Sequence, residues 1–206
     1  MGFSVASALE VVGGLSKPSK MPGFAYGIPA QLCKVGSELR KIKGSVCEKC
    51  YAQKGAYSWG PVKKAYQRRF DTLNHPQWME AMVFLMKKKK IEWFRWHDSG
   101  DLQSVEHLNK ICLIALETPE TNYWLPTKEK AIVKQYRKQN EIPKNLVIRV
   151  SGAMIDGERP AGFENTSTVS SDKNSATCVA YLQGGKCLDC RACWNPEVKN
   201  IVYPKH

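Results

Sequence analysis

The sequence contains no apolar run that approaches the roughly 18 residues needed to cross a bilayer, so we expect no membrane-spanning segment. Its first residues also lack the positive start and the apolar block of a secretory signal. We therefore expect the protein in the cytoplasm, where reducing thiol pools disfavour structural disulfides. No internal repeat is visible, which argues against a solenoid.

Acidic residues are scarce: 19 Asp and Glu stand against 31 Lys and Arg, for a net charge of +12. A surplus of this size favours a polyanionic partner, nucleic acid above all, because phosphate contacts supply affinity that does not depend on sequence. The alternative is a surface that is basic without binding anything. The densest run, four lysines at 87–90, ends a predicted helix, where cations complement the helix dipole.

The length of 206 residues and the 43% hydrophobic content predict one globular domain. We divide it into an N-terminal arm with the first cysteines at 1–57, a core at 58–152 and a C-terminal cysteine-rich segment at 153–206. Glycine and proline are dense over 1–57, and residues 152–177 are rich in Gly, Asn, Ser and Thr. These stretches are therefore predicted to be mainly loops.

In the core, stretches with the hydrophobic pattern of a strand alternate with stretches that have the hydrophobic pattern of a helix. Strands are predicted at 91–96, 122–125 and 145–150, and helices at 61–73, 76–89, 104–117 and 128–139. Helices between successive strands indicate parallel pairing. The predicted fold is α/β, a small parallel sheet or partial (β/α) barrel with cysteine-rich N- and C-terminal segments.

Polar residues follow the first predicted strand, at the sheet edge where ligands bind in such folds. We predict a catalytic role for His97, Asp98 and Asp101, since either carboxylate is placed to bind an amine or to orient His97. The glycine between them would allow close approach of a ligand. The alternative is a turn that only begins the next helix.

Two arginines lie inside predicted strands, Arg95 and Arg149, where an unpaired charge is costly to bury. One interpretation is that they pair with Asp98 or Asp101. The other is that they contact an anion.

Seven of the eight cysteines fall into two groups. The first cysteine group is Cys33, Cys47 and Cys50, and the second cysteine group is Cys178, Cys187, Cys190 and Cys193. The run Cys-x2-Cys-x2-Cys in the second group matches the core spacing of bacterial ferredoxins and favours an iron–sulfur cluster. Zinc is the alternative, although it more often takes separated pairs of ligands. Cys112, inside an apolar helix, is predicted to be a core residue.

The number of clusters stays open. Three cysteines on a [4Fe–4S] cluster leave one iron open, as in a reaction centre, whereas four make a closed electron carrier. Seven cysteines therefore suit one catalytic and one auxiliary cluster. A single cluster that draws ligands from both groups is equally compatible with the spacing.

The chain resembles the phage gene product 88-like family. The resemblance rests on motifs spread over most of the chain, namely Ser-Lys-Met-Pro-Gly23, Cys47-Glu-Lys-Cys50-Tyr-Ala52, Phe94-Arg-Trp-His-Asp-Ser-Gly-Asp101, Trp124-Leu-Pro-Thr127, Asn145-Leu-Val-Ile-Arg-Val-Ser151 and Cys187-Leu-Asp-Cys190-Arg-Ala-Cys193-Trp194. It implies a bacteriophage origin and no particular activity.

The Cys-x2-Cys-Tyr-Ala segment is also similar to the cluster loop of radical S-adenosylmethionine (SAM) enzymes. That resemblance implies a partial or complete β/α barrel, a [4Fe–4S] cluster on the first cysteine group, and SAM on the open iron. It also implies that Ser99, Gly100 and Asp101 contact the SAM amino group.

These observations predict an iron–sulfur protein of phage origin with radical SAM-like redox chemistry. The first alternative is a redox or electron-transfer protein without SAM, and either version implies an electron donor as partner. The second alternative is a zinc-stabilised module that binds nucleic acid.

Overall fold

The structure, a computed structural model, describes residues 2–205. Residues 1 and 206, the outer ends of the predicted segments 1–57 and 153–206, lie outside the described residues. No helix within 2–205 combines the length and the apolar character that crossing a membrane requires.

The described strands form one six-stranded sheet in which every neighbouring pair is parallel and the order follows the chain. The strands are β1 Phe24–Tyr26, β2 Trp93–Trp96, β3 Asn122–Thr127, β4 Leu146–Ile155, β5 Thr166–Ser170 and β6 Asn200–Pro204. The predicted α/β class with a parallel sheet is confirmed. Strand order that follows the chain is typical of a barrel segment, which here is open between β1 and β6.

The helices of the described chain are α1 Val5–Val11, α2 Lys34–Arg40, α3 Gly60–Thr72, α4 Trp78–Lys88, α5 Val105–Glu117 and α6 Lys130–Arg137. Short 3₁₀ turns lie at Ala30–Leu32, Tyr51–Gln53, Gly55–Ser58, Lys173–Ser175, Ala180–Leu182 and Ala192–Trp194. Helices α1, α4, α5 and α6 pack side by side in that order. They therefore form one layer, and the Ser104 hydroxyl caps α5 by accepting from the backbone N–H of His107.

The two faces of the sheet differ, because successive side chains of a strand point to opposite sides. Phe94 and Trp96 of β2 belong to the hydrophobic core beneath the helices, and so does Cys112 of α5. The opposite face, which we call the inner face, carries Trp93, Arg95, Trp124 and Arg149. Its residues are partly covered by the C-terminal segment, whose Trp194 ring lies 5.7 Å from Trp93 and 5.2 Å from Trp124.

Two strands, β1 and β5, and two helices, α1 and α2, arise in stretches predicted to be mainly loops. Strand β1 is only three residues long and lies between Gly23 and Gly27, while β5 consists of Ser and Thr apart from one valine. Neither shows the hydrophobic run or alternation that predicts a strand. The sheet consequently takes strands from all three predicted segments rather than from the core alone.

Candidate functional site

The first cysteine group lies in the connection that follows β1. Cys33 is the residue before α2, and Cys50 precedes the 3₁₀ turn at Tyr51–Gln53. A Cβ built on Gly36 would lie 3.6 Å from Cys33 Sγ and 3.7 Å from Cys47 Sγ, so both thiols face this glycine. Cys50 lies near enough for its charge to affect the pKa of Cys33, and all three residues are free thiols.

Electrostatics in this group depend on burial and on nearby cations. Burial, with Asp101 and the other two thiols, raises the pKa of Cys33 to about 12. Burial also raises the pKa of Cys47, whereas the Lys128 ammonium and the Arg40 guanidinium oppose that rise. A cationic centre that binds these thiols as thiolates would reverse the effect of burial.

All four thiols of the second cysteine group line a single cavity of about 100 Å³. The Cys190 N–H donates to the Cys187 carbonyl at 2.9 Å, and the Cys187 N–H donates to the Lys20 carbonyl at 2.8 Å. Cys193 Sγ lies 3.2 Å from the Tyr203 hydroxyl of β6. Four thiols around one cavity are the donor set that an iron–sulfur cluster uses.

Arg149 holds this segment against the inner face. Its guanidinium is fully buried and donates to four backbone carbonyls of the segment at 2.7–2.9 Å, namely those of Ala192, Cys193, Asn195 and Val198. Arg95 instead donates to the Tyr51 hydroxyl at 3.1 Å. Within residues 2–205, neither arginine forms an ion pair with Asp98 or Asp101, so the predicted pairing is wrong.

No three His, Cys, Asp or Glu side chains between residues 2 and 205 form a group that could hold a metal ion. A single tetrahedral zinc requires all its donors to converge on one atom at about 2.0–2.3 Å. A cluster has no such requirement, because each thiolate binds a different iron.

Both cysteine groups fall within the part of the chain that a protein-family model covers. The model for gene product 88 matches residues 6–196. The chain belongs to the gene product 88 family. No curated protein and no solved structure matches it. The predicted family is confirmed and the match supports the predicted bacteriophage origin, whereas the radical SAM resemblance remains a prediction from the motifs.

In this gene product 88 chain the predicted catalytic residues are buried at the end of β2. His97 is 3% exposed and its ring lies 5.4 Å from that of His107, on the helix side of the sheet. Asp98 Oδ2 accepts from the Tyr66 hydroxyl at 2.9 Å. The Asp101 carboxylate accepts from Leu102 N, Thr127 Oγ1 and Lys128 N at 2.5–2.8 Å. These contacts join the ends of β2 and β3.

Ser99 and Gly100 lie against the connection after β1. The Ile28 N–H donates to the Ser99 carbonyl at 3.0 Å. Gly100 has φ +78°, and a Cβ there would lie 2.3 Å from Ile28 Cγ1. Only glycine combines this backbone conformation with so close an approach. The motif therefore brings the end of β2 next to the chain that leads into the first cysteine group.

Two charged residues that follow β3 also belong to the site: Lys128, which its place at a strand end indicates, and Glu129, which escapes prediction from the sequence. Glu129 Oε1 accepts from the Val35 N–H at 3.0 Å, which satisfies a free N–H at the start of α2, directly after Cys33. The Lys128 ammonium donates to the Gly152 carbonyl at 2.6 Å. Among the nearby cations it lowers the pKa of Cys47 the most. Their position at the end of β3 was the available signal.

Proposed function

We propose that this gene product 88 protein is an iron–sulfur protein with two [4Fe–4S] clusters. The first cysteine group would hold one cluster through three thiolates, and the second cysteine group would hold the other through four. The observation that carries the proposal is the separation of seven free cysteines into a group of three beside the strand ends and a group of four around one cavity.

The surroundings of the second group support this proposal. Bound thiolates give a cluster net negative charge, and a buried negative charge needs compensation. Burial raises the pKa of Cys193 to about 11, and Arg149 and Arg95 oppose that rise. Arginine is suited to this role because it stays protonated in proteins.

The enzymatic form of the proposal is radical SAM-like chemistry at the first group. When bound there, a cluster with an open iron supplies the electron that cleaves SAM reductively. The chain-ordered parallel strands and the position of the first cysteine group after β1 support this form. So does the position of Ser99, Gly100 and Asp101 after β2, beside the connection that carries the cysteines. Because Ser99 and Asp101 are buried, we assign these residues to positioning the backbone around the SAM site.

The alternative, an electron-transfer protein without SAM, shares the clusters and differs only at the first group. The burial of His97 and Asp101 favours this alternative, because neither side chain is free to reach a substrate. SAM binding and cleavage separate the two forms.

The test is the content of iron, acid-labile sulfide and zinc in protein purified without oxygen, for three cysteine variants beside the wild type. We expect about eight irons for the wild type and about four for either Cys50→Ala or Cys190→Ala. Cys112→Ala is the matched control, since that thiol lies in the core, and it should keep all its iron.

Formation of 5′-deoxyadenosine from SAM, with dithionite as reductant, then tests the enzymatic form. Cleavage in the wild type and in Cys112→Ala, and none in Cys50→Ala, would support it. Full iron without cleavage would favour the electron-transfer form. Zinc without iron would overturn both forms and make the basic surface and a nucleic-acid partner the leading account.

A further inference from the structure

Four side chains form a continuous line of contacts across the inner face, between the two cysteine groups. We call this line the bridge, and its members in order are Tyr51, Arg95, Trp124 and Trp194. Each belongs to a different part of the chain, so only the fold brings them together. The line begins beside one cysteine and ends beside another, because Tyr51 follows Cys50 and Trp194 follows Cys193.

Each step of the bridge is short. Arg95 Nη2 donates to the Tyr51 hydroxyl at 3.1 Å. The Arg95 guanidinium lies 4.5 Å from the centre of the Trp124 ring. The Trp124 ring lies 5.2 Å from that of Trp194, edge to face, and Trp194 Nε1 donates to the Phe94 carbonyl at 2.9 Å.

Packing alone does not account for the composition of the bridge. Arg95 Nε and Trp124 Nε1 are buried without a hydrogen-bond partner in the described chain, an arrangement that costs free energy. Two apolar residues at 95 and 124 would cover the inner face without that cost. A guanidinium and two indoles instead give the line polarisable groups and a positive charge, which also acts on the thiols of Cys187 and Cys193.

The two ends differ in their access to solvent. Cys190 of the second group is exposed, whereas all three thiols of the first group are partly buried. An external one-electron donor would therefore reach the second group first.

We propose that the bridge carries electrons from the metal centre of the second cysteine group to that of the first. This inference rests on the proposed pair of clusters. With both clusters bound, the centre of the second group would lose one electron in each transfer and the centre of the first group would gain it. A low-potential one-electron donor, dithionite in the test, then reduces the second centre again.

The experiment follows reduction by dithionite in anaerobic protein with rapid freezing and electron paramagnetic resonance. The variants Cys50→Ala and Cys190→Ala, each with one centre, assign the two spectra. Arg95→Met and Trp124→Leu break the bridge at two different points. Trp93→Leu is the matched control, because its ring also packs against Trp194, at 5.7 Å, but lies off the bridge.

We expect reduction of the first centre to slow several-fold in Arg95→Met, Trp124→Leu and Cys190→Ala, and to keep the wild-type rate in Trp93→Leu. The wild-type rate in Cys190→Ala would mean that dithionite reaches the first centre directly and would overturn the bridge. So would unchanged rates in both bridge variants with full iron. About four irons in the wild type would instead overturn the pair of clusters and the bridge with it.

Discussion

Arg149 donates a hydrogen bond from Nε to the carbonyl oxygen of Cys193 at 2.9 Å, and this contact joins the middle of β4 to the second cysteine group. A cation buried inside a sheet normally needs a carboxylate nearby. Here backbone carbonyls take that place, so the arginine serves to hold a loop. The position of Cys193 therefore depends on a residue 44 positions earlier in the chain.

Replacing Arg149 with methionine should unfold this arrangement locally. Four buried carbonyls would lose their donor, and breaking a buried charged network costs about 3–5 kcal/mol. We expect that loss in the free energy of unfolding, measured in urea, together with loss of iron from the second group only. Arg159→Met is the control, because Arg159 is exposed at the same end of the chain. Full iron in Arg149→Met would show that the cysteines keep their place without it.

Replacing Gly36 with alanine should weaken metal binding by the first cysteine group. Gly→Ala inside a helix ordinarily stabilises by about 1 kcal/mol. A Cβ on Gly36 would, however, lie 2.9 Å from Cys33 Cβ and next to the thiols of Cys33 and Cys47. We expect Gly36→Ala to lose iron from the first group, measured by iron content and the visible spectrum. Ser37→Ala, one position along the same helix, should keep its iron. Equal iron in both variants would show that a methyl group at position 36 does not displace the thiols of Cys33 and Cys47.

Asp101→Asn should reduce stability without removing iron. Asp101 accepts hydrogen bonds from three donors, and an asparagine would turn an N–H group toward one of them. Leaving one buried donor unpaired costs about 1–3 kcal/mol, which urea unfolding would measure. Asp172→Asn, at an exposed turn, is the control. Loss of iron in Asp101→Asn would instead make the carboxylate part of the metal site.

The parts of the fold that can be predicted are those with a strong local pattern. Strands β2, β3 and β4 contain aromatic and aliphatic residues, and the helices between them show apolar periodicity. Strand β5 has no such pattern, because Ser151 and Ser167 pair through their hydroxyls at 3.1 Å instead of packing apolar side chains. Its place in the sheet is decided by neighbours far away in the chain.

The candidate site likewise has parts that a local sequence pattern predicts and parts that depend on contacts between distant residues. Cysteine spacing is local, so both groups were visible in the sequence. The contacts of Arg149 with carbonyls and of Glu129 with the Val35 N–H involve the backbone, which any residue supplies. The place of His97 at a strand end predicts a catalytic role. Its φ of +54° is the left-handed conformation, and its ring packs beside His107 on the helix side of the sheet.

The buried pair of His97 and His107 should make the fold sensitive to acid. Burial, aided by Lys110, lowers the pKa of His107 from 6.5 to about 4. Burial, with His107 and Arg95 nearby, also lowers the pKa of His97. Between pH 6.5 and 4 the unfolded chain binds more protons than the folded one, so the free energy of unfolding falls as the pH falls. For His107 the 2.5 units from 6.5 to 4 correspond to about 3 kcal/mol.

Urea unfolding of the wild type and of His107→Leu between pH 7 and 5 would measure this effect. Burial raises the pKa of Asp101 to about 6, which acts in the opposite direction over the same range. The difference between the two proteins removes that contribution, together with any effect of acid on the cysteine groups. We expect the free energy of unfolding to fall less steeply with falling pH in His107→Leu. His75→Leu, which removes an exposed histidine, should keep the wild-type slope. Equal slopes in all three proteins would mean that the pKa of His107 is the same in the folded and the unfolded chain.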